Sequence, residues 1–286
     1  MEKNNLIKEQ VTEGYSNIAK TGQWSSVISS DSSCCSGGGC CGPVTLTAEQ
    51  VALAVGYGSK DLENIPSSAN MGLSCGNPTA IASLKEGDIV LDLGSGGGFD
   101  CFIAGPKVGK SGRVIGVDMT PEMLLKARKN ILTYRAQSGL DNVEFRLGEI
   151  EHLPVADNSV DVIISNCVIN LSPDKEQVFK EIKRVLKPGG RVAISDIALL
   201  KPLPAQLVSD IDALIGCVAG ASLVSELEML LNKFSFTKIN LVSKSEYIEV
   251  MTNSKDPLYV KILENLPAGD KISDYIISLD ITAFKS

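Results

Sequence analysis

The chain has 286 residues, of which 44% are hydrophobic and 21% are charged, which is ordinary for one large globular domain or two small ones. Its net charge of −7, without a cluster of lysine and arginine, argues against partners such as nucleic acid or an anionic membrane surface. No apolar stretch approaches the roughly 20 residues that span a bilayer and no signal peptide opens the chain, so we expect a cytoplasmic protein.

Eight cysteines and a single histidine, His152, restrict the possible chemistry. A reducing compartment disfavours structural disulfides and leaves thiols for metal binding, catalysis or redox exchange. The histidine count excludes a catalytic pair of histidines and a histidine-rich metal site. We therefore expect the cysteines to carry the chemistry.

The N-terminal part is predicted to be an arm. A short helix is expected over residues 11–19, and the segment 25–42 that follows is rich in serine, glycine and cysteine. A second helix begins after Thr47, whose side chain suits an N-cap. A loop then carries Cys75 to the start of the first strand. We divide the chain into an arm over 1–44 and one domain over 45–286.

A strand ending in a glycine loop is the first element with chemical meaning. The run Ile89-Val90-Leu91 leads into D-L-G-S-G-G-G-F-D, with glycines at Gly94, Gly96 and Gly98. Glycine is needed where the backbone turns sharply and lets a ligand approach. The third glycine of a dinucleotide fingerprint would fall on Phe99, so the pattern G-x-G-x-G favours another nucleoside ligand.

Two further strand ends supply acidic side chains. The strand R-V-I-G-V-D ends in Asp118, and such a carboxylate suits the two hydroxyls of a ribose without a 2′-phosphate. The strand Val143-Glu144-Phe145-Arg146-Leu147 leads to Glu149, whose side chain is suited to accept from an adenine amino group. Together with the glycine loop, they predict an adenosine-type pocket.

The fourth strand, D-V-I-I-S-N-C, delivers Cys167 at its polar end. Ligands of open α/β sheets bind at the carboxyl ends of strands, which argues against a merely buried cysteine.

The alternation of strands and helices predicts a parallel sheet. A helix beginning at Ser172-Pro173 is expected to stop at Pro188-Gly189-Gly190, and a fifth strand covers 191–195. A helical cap over about 201–225 carries Cys217, and two antiparallel strands follow at 236–242 and 276–284.

At this point the chain resembles the class I S-adenosylmethionine (SAM) methyltransferases. The motifs are L-D-L-G-S-G-G-G, G-V-D-M-T-P-E-M-L, G-E-I-E-H-L-P-V and L-K-P-G-G-R-V-A-I-S-D, which together span about residues 85–196. Within that class, S-N-C-V-I-N-L, G-L-S-C-G-N-P and a late cysteine are similar to the arsenite methyltransferases. The resemblance implies a doubly wound, mostly parallel, seven-stranded α/β sheet with a helical acceptor cap and an N-terminal Cys-rich arm.

The resemblance also implies the site residues. Cys75, Cys167 and Cys217 would hold trivalent arsenic, with Cys217 in the weakest matching segment and no other metal expected. The cofactor would be SAM. Its expected contacts are Asp92, Gly94, Gly96, Gly98, Asp118, Met119, Glu149, Ile150 and Asn166.

Transfer from SAM to thiolate-bound arsenic needs no general base, because the arsenic lone pair carries no proton. Methylation oxidises the arsenic, so electrons must return from cysteine pairs, and the resulting disulfide would be reduced by thioredoxin or glutathione. Arsenite, SAM and one of these reductants are therefore the expected partners. The pairs Cys34-Cys35 and Cys40-Cys41 suit capture of arsenite, thiol exchange or a dispensable tail better than zinc.

Two alternatives remain at this stage. A quinone- or sterol-type small-molecule methyltransferase would share the same core but would use a general base and an apolar acceptor pocket. A thiol-rich metalloid- or zinc-binding protein that keeps the fold without turnover would bind arsenite without saturable affinity for SAM.

Overall fold

A seven-stranded sheet forms the centre of the computed structural model, which describes residues 2–22, 46–63 and 65–286. The strands lie in the order β3-β2-β1-β4-β5-β7-β6, with β1 to β5 parallel and β7 antiparallel to both of its neighbours. Their bounds are β1 (Ile89–Leu93), β2 (Arg113–Asp118), β3 (Val143–Leu147), β4 (Val160–Asn166), β5 (Leu186–Leu199), β6 (Phe236–Lys244) and β7 (Ile276–Lys285). The predicted mostly parallel, seven-stranded α/β sheet is confirmed. The order in which strands are added to the sheet reverses between the parallel strands β1 and β4, and this switch point leaves a crevice at their carboxyl ends.

Helices cover both faces of this sheet and its carboxyl edge. In chain order the described α-helices are α1 (Glu2–Thr21), α2 (Ala48–Ala54), α3 (Ser59–Glu63), α4 (Pro78–Ile81), α5 (Phe99–Val108), α6 (Pro121–Ser138), α7 (Lys175–Val185), α8 (Ala205–Val208), α9 (Ile211–Ile215), α10 (Val224–Lys233), α11 (Glu246–Asn253) and α12 (Pro257–Glu264). Within the described residues, no helix has the length and apolar character needed to cross a membrane.

The core divides into two layers because neighbouring residues of a strand point to opposite faces. Val90 packs with α5 and α6 on one face, whereas Leu91 packs with α7 and α10 on the other. A third apolar cluster lies beyond the carboxyl ends of the strands and contains Cys75, Cys167 and Cys217. The fold therefore collects these three cysteines, which are far apart in sequence, in one buried region.

Several predicted elements have different bounds in the structure. Helix α1 is much longer than the expected 11–19, and its apolar side contacts α6 and α9. Helix α7 starts after Asp174, whose side chain accepts from the Gln177 amide, and it ends before the expected stop at 188–190. Strand β5 begins at Leu186 because the segment expected to stop the helix is already extended and leads into pairing with β4.

The C-terminal part holds two helices that the sequence reasoning missed. Helices α11 and α12 lie between β6 and β7 and pack against the cluster of the three cysteines. Asp256 caps α12 by accepting from the amides of Leu258 and Tyr259. This Asp-Pro start was a readable helix signal.

The predicted helical acceptor segment around Cys217 contains the short helices α8 and α9. The Cys-rich arm with Cys34, Cys35, Cys40 and Cys41 lies outside the described residues.

Candidate active site

A large open cavity of about 980 Å³ lies at the carboxyl ends of β1, β2 and β4. Most of the predicted cofactor contacts line it: Asp92, Gly94, Gly96, Asp118, Met119, Ile150 and Asn166. Helix α1 covers it with Lys8, Val11 and Tyr15. We call it the large cavity.

The glycine loop gives the floor of the large cavity. Gly94 and Gly96 have φ values of +68° and +50°, a region in which residues with a Cβ are rare. A Cβ on Gly94 would also collide with Val168, which follows Cys167. Gly98 has φ +91° and caps α5, where a Cβ would meet Phe102 and Phe145, and it does not line the cavity. Gly98 was predicted to contact the cofactor, but in this geometry it shapes the start of α5, while Gly94 and Gly96 face the ligand space.

Asp118 closes the loop by hydrogen bonds to the backbone. The Gly96 amide donates to Asp118 Oδ2 at 2.8 Å, and the Thr120 amide donates to Asp118 Oδ1 at 2.8 Å. Burial raises the pKa of Asp118, and these amide donors oppose that rise. The carboxylate is thus held in place at the end of β2, with further lone pairs available for a ligand hydroxyl.

Three buried carboxylates face the same cavity. Burial raises the pKa of Asp92 well above its usual value, and the neighbouring Asp100 adds to this rise. Burial also raises the pKa of Asp100 to about 6, although hydrogen bonds from Tyr57 and Asn166 oppose the shift. Together with Asp118 they place three carboxyl groups around one cavity. Such a cavity suits a ligand that carries positive charge.

Asn166 connects the carboxylates to the cysteines. Its Nδ2 donates to the Tyr57 hydroxyl at 2.9 Å, to Asp100 Oδ2 at 3.2 Å and to the Gly76 carbonyl at 3.0 Å. Its Oδ1 accepts from the Cys75 amide at 3.2 Å. The loop carrying Cys75 is therefore fixed to the end of β4 next to the large cavity. Asp100 and Tyr57 were not among the predicted site residues, although Asp100 stands at the end of the glycine motif.

The segment after β3 places its acidic residues differently from the prediction. Glu149 does not line the cavity, because its carboxylate accepts from Lys8 Nζ at 2.6 Å. Glu151 lines the cavity, pairs with Lys8 at 3.3 Å and accepts from the Ser172 hydroxyl at 2.7 Å. The adenine-binding role of Glu149 stays a prediction, and Ile150 is the neighbour that faces the ligand space.

Two of the three predicted cysteines are joined to each other. Cys75 and Cys167 form a disulfide with their Cα atoms 6.1 Å apart. The Cys75 carbonyl accepts from the Ser278 hydroxyl at 2.8 Å, and the Cys167 amide donates to the Ser195 carbonyl at 3.0 Å. The sulfurs of two of the three predicted ligands are thus adjacent, and both residues must be in the thiol form to bind arsenic.

The third cysteine lies beside this pair. Cys217 is buried, and its thiol donates to the Cys167 carbonyl at 2.8 Å. Burial raises the pKa of Cys217, and the nearby carboxylate of Asp196 raises it further. Cys167 and Cys217 both have left-handed backbone conformations, with φ of +52° and +62°. Strained backbone of this kind in non-glycine residues is concentrated at functional sites.

A smaller cavity of about 430 Å³ lies on the other side of the cysteines and is called the small cavity. Cys167, Tyr15 and Leu73 line both cavities, and Cys217 lines the small one. Its other walls are Gly72, Ile197, Ile215, Gly216, Tyr247, Met251, Leu258 and Tyr259. Sequence reasoning did not identify Tyr247 or Tyr259. Periodic apolar residues in α11 and α12 were the signal that could have found these two.

A buried carboxylate completes the group around the cysteines. Oxygen of Asp196 and the sulfurs of Cys75 and Cys167 all lie within 4.8 Å of one another. Burial raises the pKa of Asp196 to about 7, against hydrogen bonds from backbone amides and the charge of Lys175. The sequence contains this residue in the motif I-S-D but offers no reason to place it beside the thiols.

The sheet order, the glycine loop and the carboxylate after β2 define a nucleoside-dependent α/β enzyme of the class I methyltransferase type. A family model described as a methyltransferase domain matches residues 84–253. An arsenite methyltransferase of Halobacterium salinarum is 45% identical over 290 residues, covering 97% of this chain and 66% of the relative. An arsenite methyltransferase of Aquipseudomonas alcaligenes is 46% identical over 164 residues, covering 56% of this chain and 47% of the relative.

Solved structures include a similar protein. The crystal structure of an arsenic(III) S-adenosylmethionine methyltransferase from Chlamydomonas reinhardtii superposes with a TM-score of 0.58 and 32% identity. The match covers 82% of this chain and 72% of that protein. The chain belongs to the arsenite methyltransferase family of SAM-dependent methyltransferases. It spans less than two thirds of the length of the two curated relatives described above.

Proposed function

We propose that this chain transfers a methyl group from SAM to trivalent arsenic bound by Cys75, Cys167 and Cys217. The observation that carries the proposal is the position of these cysteines in one buried cluster, with Cys167 in the wall between the two cavities. The family relationship supports the same activity. Arsenic detoxification by methylation is the corresponding role.

The large cavity fits SAM in shape and charge. The glycine loop leaves room for a closely approaching ligand, and Asp118 is held where a ribose would need an acceptor. Burial raises the pKa of the carboxyl groups of Asp92 and Asp100, and a bound cation would favour their ionised form and be attracted by it. When bound, SAM supplies an electrophilic sulfonium methyl group.

The acceptor side of the reaction depends on sulfur. Soft thiolates select soft centres such as trivalent arsenic. Binding requires that the disulfide of Cys75 and Cys167 first takes up two electrons, and that all three thiols lose their protons. Once bound by three sulfurs, the arsenic keeps a lone pair as the nucleophile, so no general base is needed and the chain contributes mainly orientation.

We also propose the conditions under which the cycle turns over. Methyl transfer oxidises arsenic, and its return to the trivalent state consumes two electrons that a cysteine pair can provide. In this proposal Cys75 and Cys167 are the pair left as a disulfide, and their pairing supports it. A thiol reductant of the thioredoxin or glutathione type would restore the dithiol, and the cytoplasm is the compartment that maintains such reductants.

The test is methyl transfer from labelled SAM to arsenite in the presence of a thiol reductant, with the arsenic products separated by chromatography. We expect labelled methylarsenicals from the wild-type chain and none from Cys167→Ser, which should still bind SAM. Cys101→Ser is the matched control, because Cys101 is buried away from the cluster and serine can keep its hydrogen bond to Asp92. Full activity of Cys167→Ser would refute arsenic binding by three thiolates.

The same assay separates the two alternatives. A quinone- or sterol-type methyltransferase would bind SAM and transfer no label to arsenite. A thiol-rich binding protein would bind arsenite but would show no saturable binding of SAM in equilibrium dialysis.

A further inference from the structure

The carboxylate of Asp196 is the strongest feature of the thiol cluster that the reaction above does not use. It is 4% exposed and stands within 4.8 Å of two of the three sulfurs. It is also linked to the third cysteine, because Asn170 contacts both Asp196 and the Cys217 carbonyl. Burying a carboxylate beside three groups that must become thiolates is unfavourable for the empty site. The Asp196 carboxylate should therefore be favourable in a later step of the proposed reaction.

Asp196 is held rigidly by donors. The Ile197 amide donates to Oδ1 at 2.8 Å, and the Ile169 amide donates to Oδ2 at 3.1 Å. Asn170 Nδ2 donates to Oδ1 at 2.9 Å and also to the Cys217 carbonyl at 3.1 Å. The carboxylate cannot turn away from the sulfurs without breaking these bonds. It is preorganised toward whatever the cysteines bind.

The charge balance of the proposed reaction shows what such a group can do. Arsenic bound by three thiolates is neutral. During transfer the carbon–sulfur bond of the sulfonium breaks, the arsenic lone pair forms the arsenic–carbon bond, and the arsenic is oxidised from the trivalent to the pentavalent state. The positive charge leaves the sulfonium, which becomes a neutral thioether, and appears on the arsenic. A negative group beside the thiolates is favourable only after the charge has moved.

We propose that the Asp196 carboxylate stabilises the positive charge that methyl transfer places on thiolate-bound arsenic. The inference rests on the proposed function and adds a charge-stabilising residue to it. Asp196 matters for the acceptor side because, within the described part of the chain, none of the residues that line the small cavity is charged. Asp196 is thus the nearby carboxylate on the acceptor side, whereas Asp92, Asp100 and Asp118 line the cofactor side.

The experiment measures the chemical step alone. The protein is reduced with a phosphine, loaded with one equivalent of arsenite at pH 8 and mixed rapidly with labelled SAM, and single-turnover formation of the arsenic–methyl bond is followed by quenched flow. For Asp196→Asn we expect a rate lower by about 100-fold, the scale of other preorganised electrostatic groups. The dissociation constants of arsenite and SAM should stay within a few-fold of the wild-type values. Asp212→Asn is the control, because Asp212 pairs with Lys261 and lies outside both cavities.

A second pair of variants keeps the test valid if the asparagine variant fails to fold. Asp196→Glu and Asp196→Gln have nearly the same shape and differ in charge, so a glutamate variant at least tenfold faster than the glutamine variant supports the proposal. Equal rates in this pair would overturn it. The proposal is also overturned if Asp196→Asn slows only the binding of arsenite, since the carboxylate would then act as a proton acceptor for the thiols. If the wild-type complex transfers no label to arsenic, the proposed function fails as well.

Discussion

At the scale of single residues, the site is organised by buried carboxylates and by three cysteines. Asp100 shows how the residues of the site are connected. The Tyr57 hydroxyl donates to Asp100 Oδ1 at 2.7 Å, and Asn166 donates to Asp100 Oδ2. Asn166 in turn holds the loop of Cys75. The ligand spaces on the two sides of Cys167 thus share one hydrogen-bond network.

Asp100 should give SAM binding a pH dependence. Burial raises its pKa to about 6, so the carboxylate of the free protein becomes protonated as the pH falls through 6 and loses its attraction for a cation. We expect the dissociation constant of SAM, measured by titration calorimetry, to increase several-fold between pH 8 and pH 5.5. Asp100→Asn should weaken binding about tenfold at pH 8, as for a lost charged hydrogen bond, and should reduce the pH dependence. An unchanged pH profile in this variant would rule out Asp100 as its source.

At the scale of elements, helix α1 closes the site over both cavities. Lys8 pairs with Glu149 and Glu151 at the large cavity, and the Tyr15 hydroxyl donates to the Ile215 carbonyl beside the small cavity. The helix approaches α9 closely at Gly14, where a Cβ would come within 2.6 Å of the Ile215 side chain. Glycine at this position has a steric reason, since it lets Tyr15 reach the thiol cluster.

Gly14→Val should separate α1 from the rest of the molecule without unfolding the sheet. The added side chain would overlap Ile215, and overpacking of this kind costs about 1–3 kcal/mol. We expect faster limited proteolysis within α1 and weaker binding of SAM, with an unchanged far-ultraviolet spectrum for the remainder. Glu13→Val provides the control, because Glu13 is exposed on the same helix. Equal proteolysis rates for the two variants would show that the close contact at Gly14 does not hold the helix.

At the scale of the whole molecule, the site is a source of instability when it is empty. Asp100 and Asp196 have pKa values of about 6 and about 7 in the fold, compared with 3.8 as the ordinary value. The folded chain therefore binds more protons than the unfolded chain between about pH 4 and pH 7, and the free energy of unfolding falls as the pH rises through this window. The hydrogen bond from Arg184 lowers the pKa of Glu181 below 4.5, so its contribution to stability is lost at the acid end.

The ligand-free protein should consequently be most stable near pH 4.5 and should lose stability as the pH rises from there to about 7. By differential scanning calorimetry we expect the Tm at pH 5.5 to exceed the Tm at pH 8 by a few degrees, since about 1 kcal/mol corresponds to roughly 2–4 °C for a chain of this size. SAM at saturating concentration should stabilise the protein more at pH 8 than at pH 5.5. A Tm that is highest at pH 8 without ligand would contradict this assignment of the buried carboxylates.

The sequence by itself determined the parallel sheet, the glycine loop and the place of Cys167 at the end of a strand, whereas Cys75 and Cys217 were expected only from the family resemblance. These features depend on local signals, such as the apolar run before Gly94 or the position of Cys167 at the end of a strand, and such signals are written in neighbouring residues. The helix start at Thr47 is a similar case, because the capping box with Gln50 involves only four consecutive residues.

Only the tertiary structure decided which side chains surround the thiols. Asp196 reaches Cys75 from a strand more than a hundred residues away, and Tyr259 reaches the small cavity from a helix near the end of the chain. The Glu149 carboxylate pairs with Lys8 of α1 instead of facing the large cavity, and no local sequence pattern indicates this contact. Charge and burial at the site are produced by contacts between distant segments, and spacing along the chain carries no information about them.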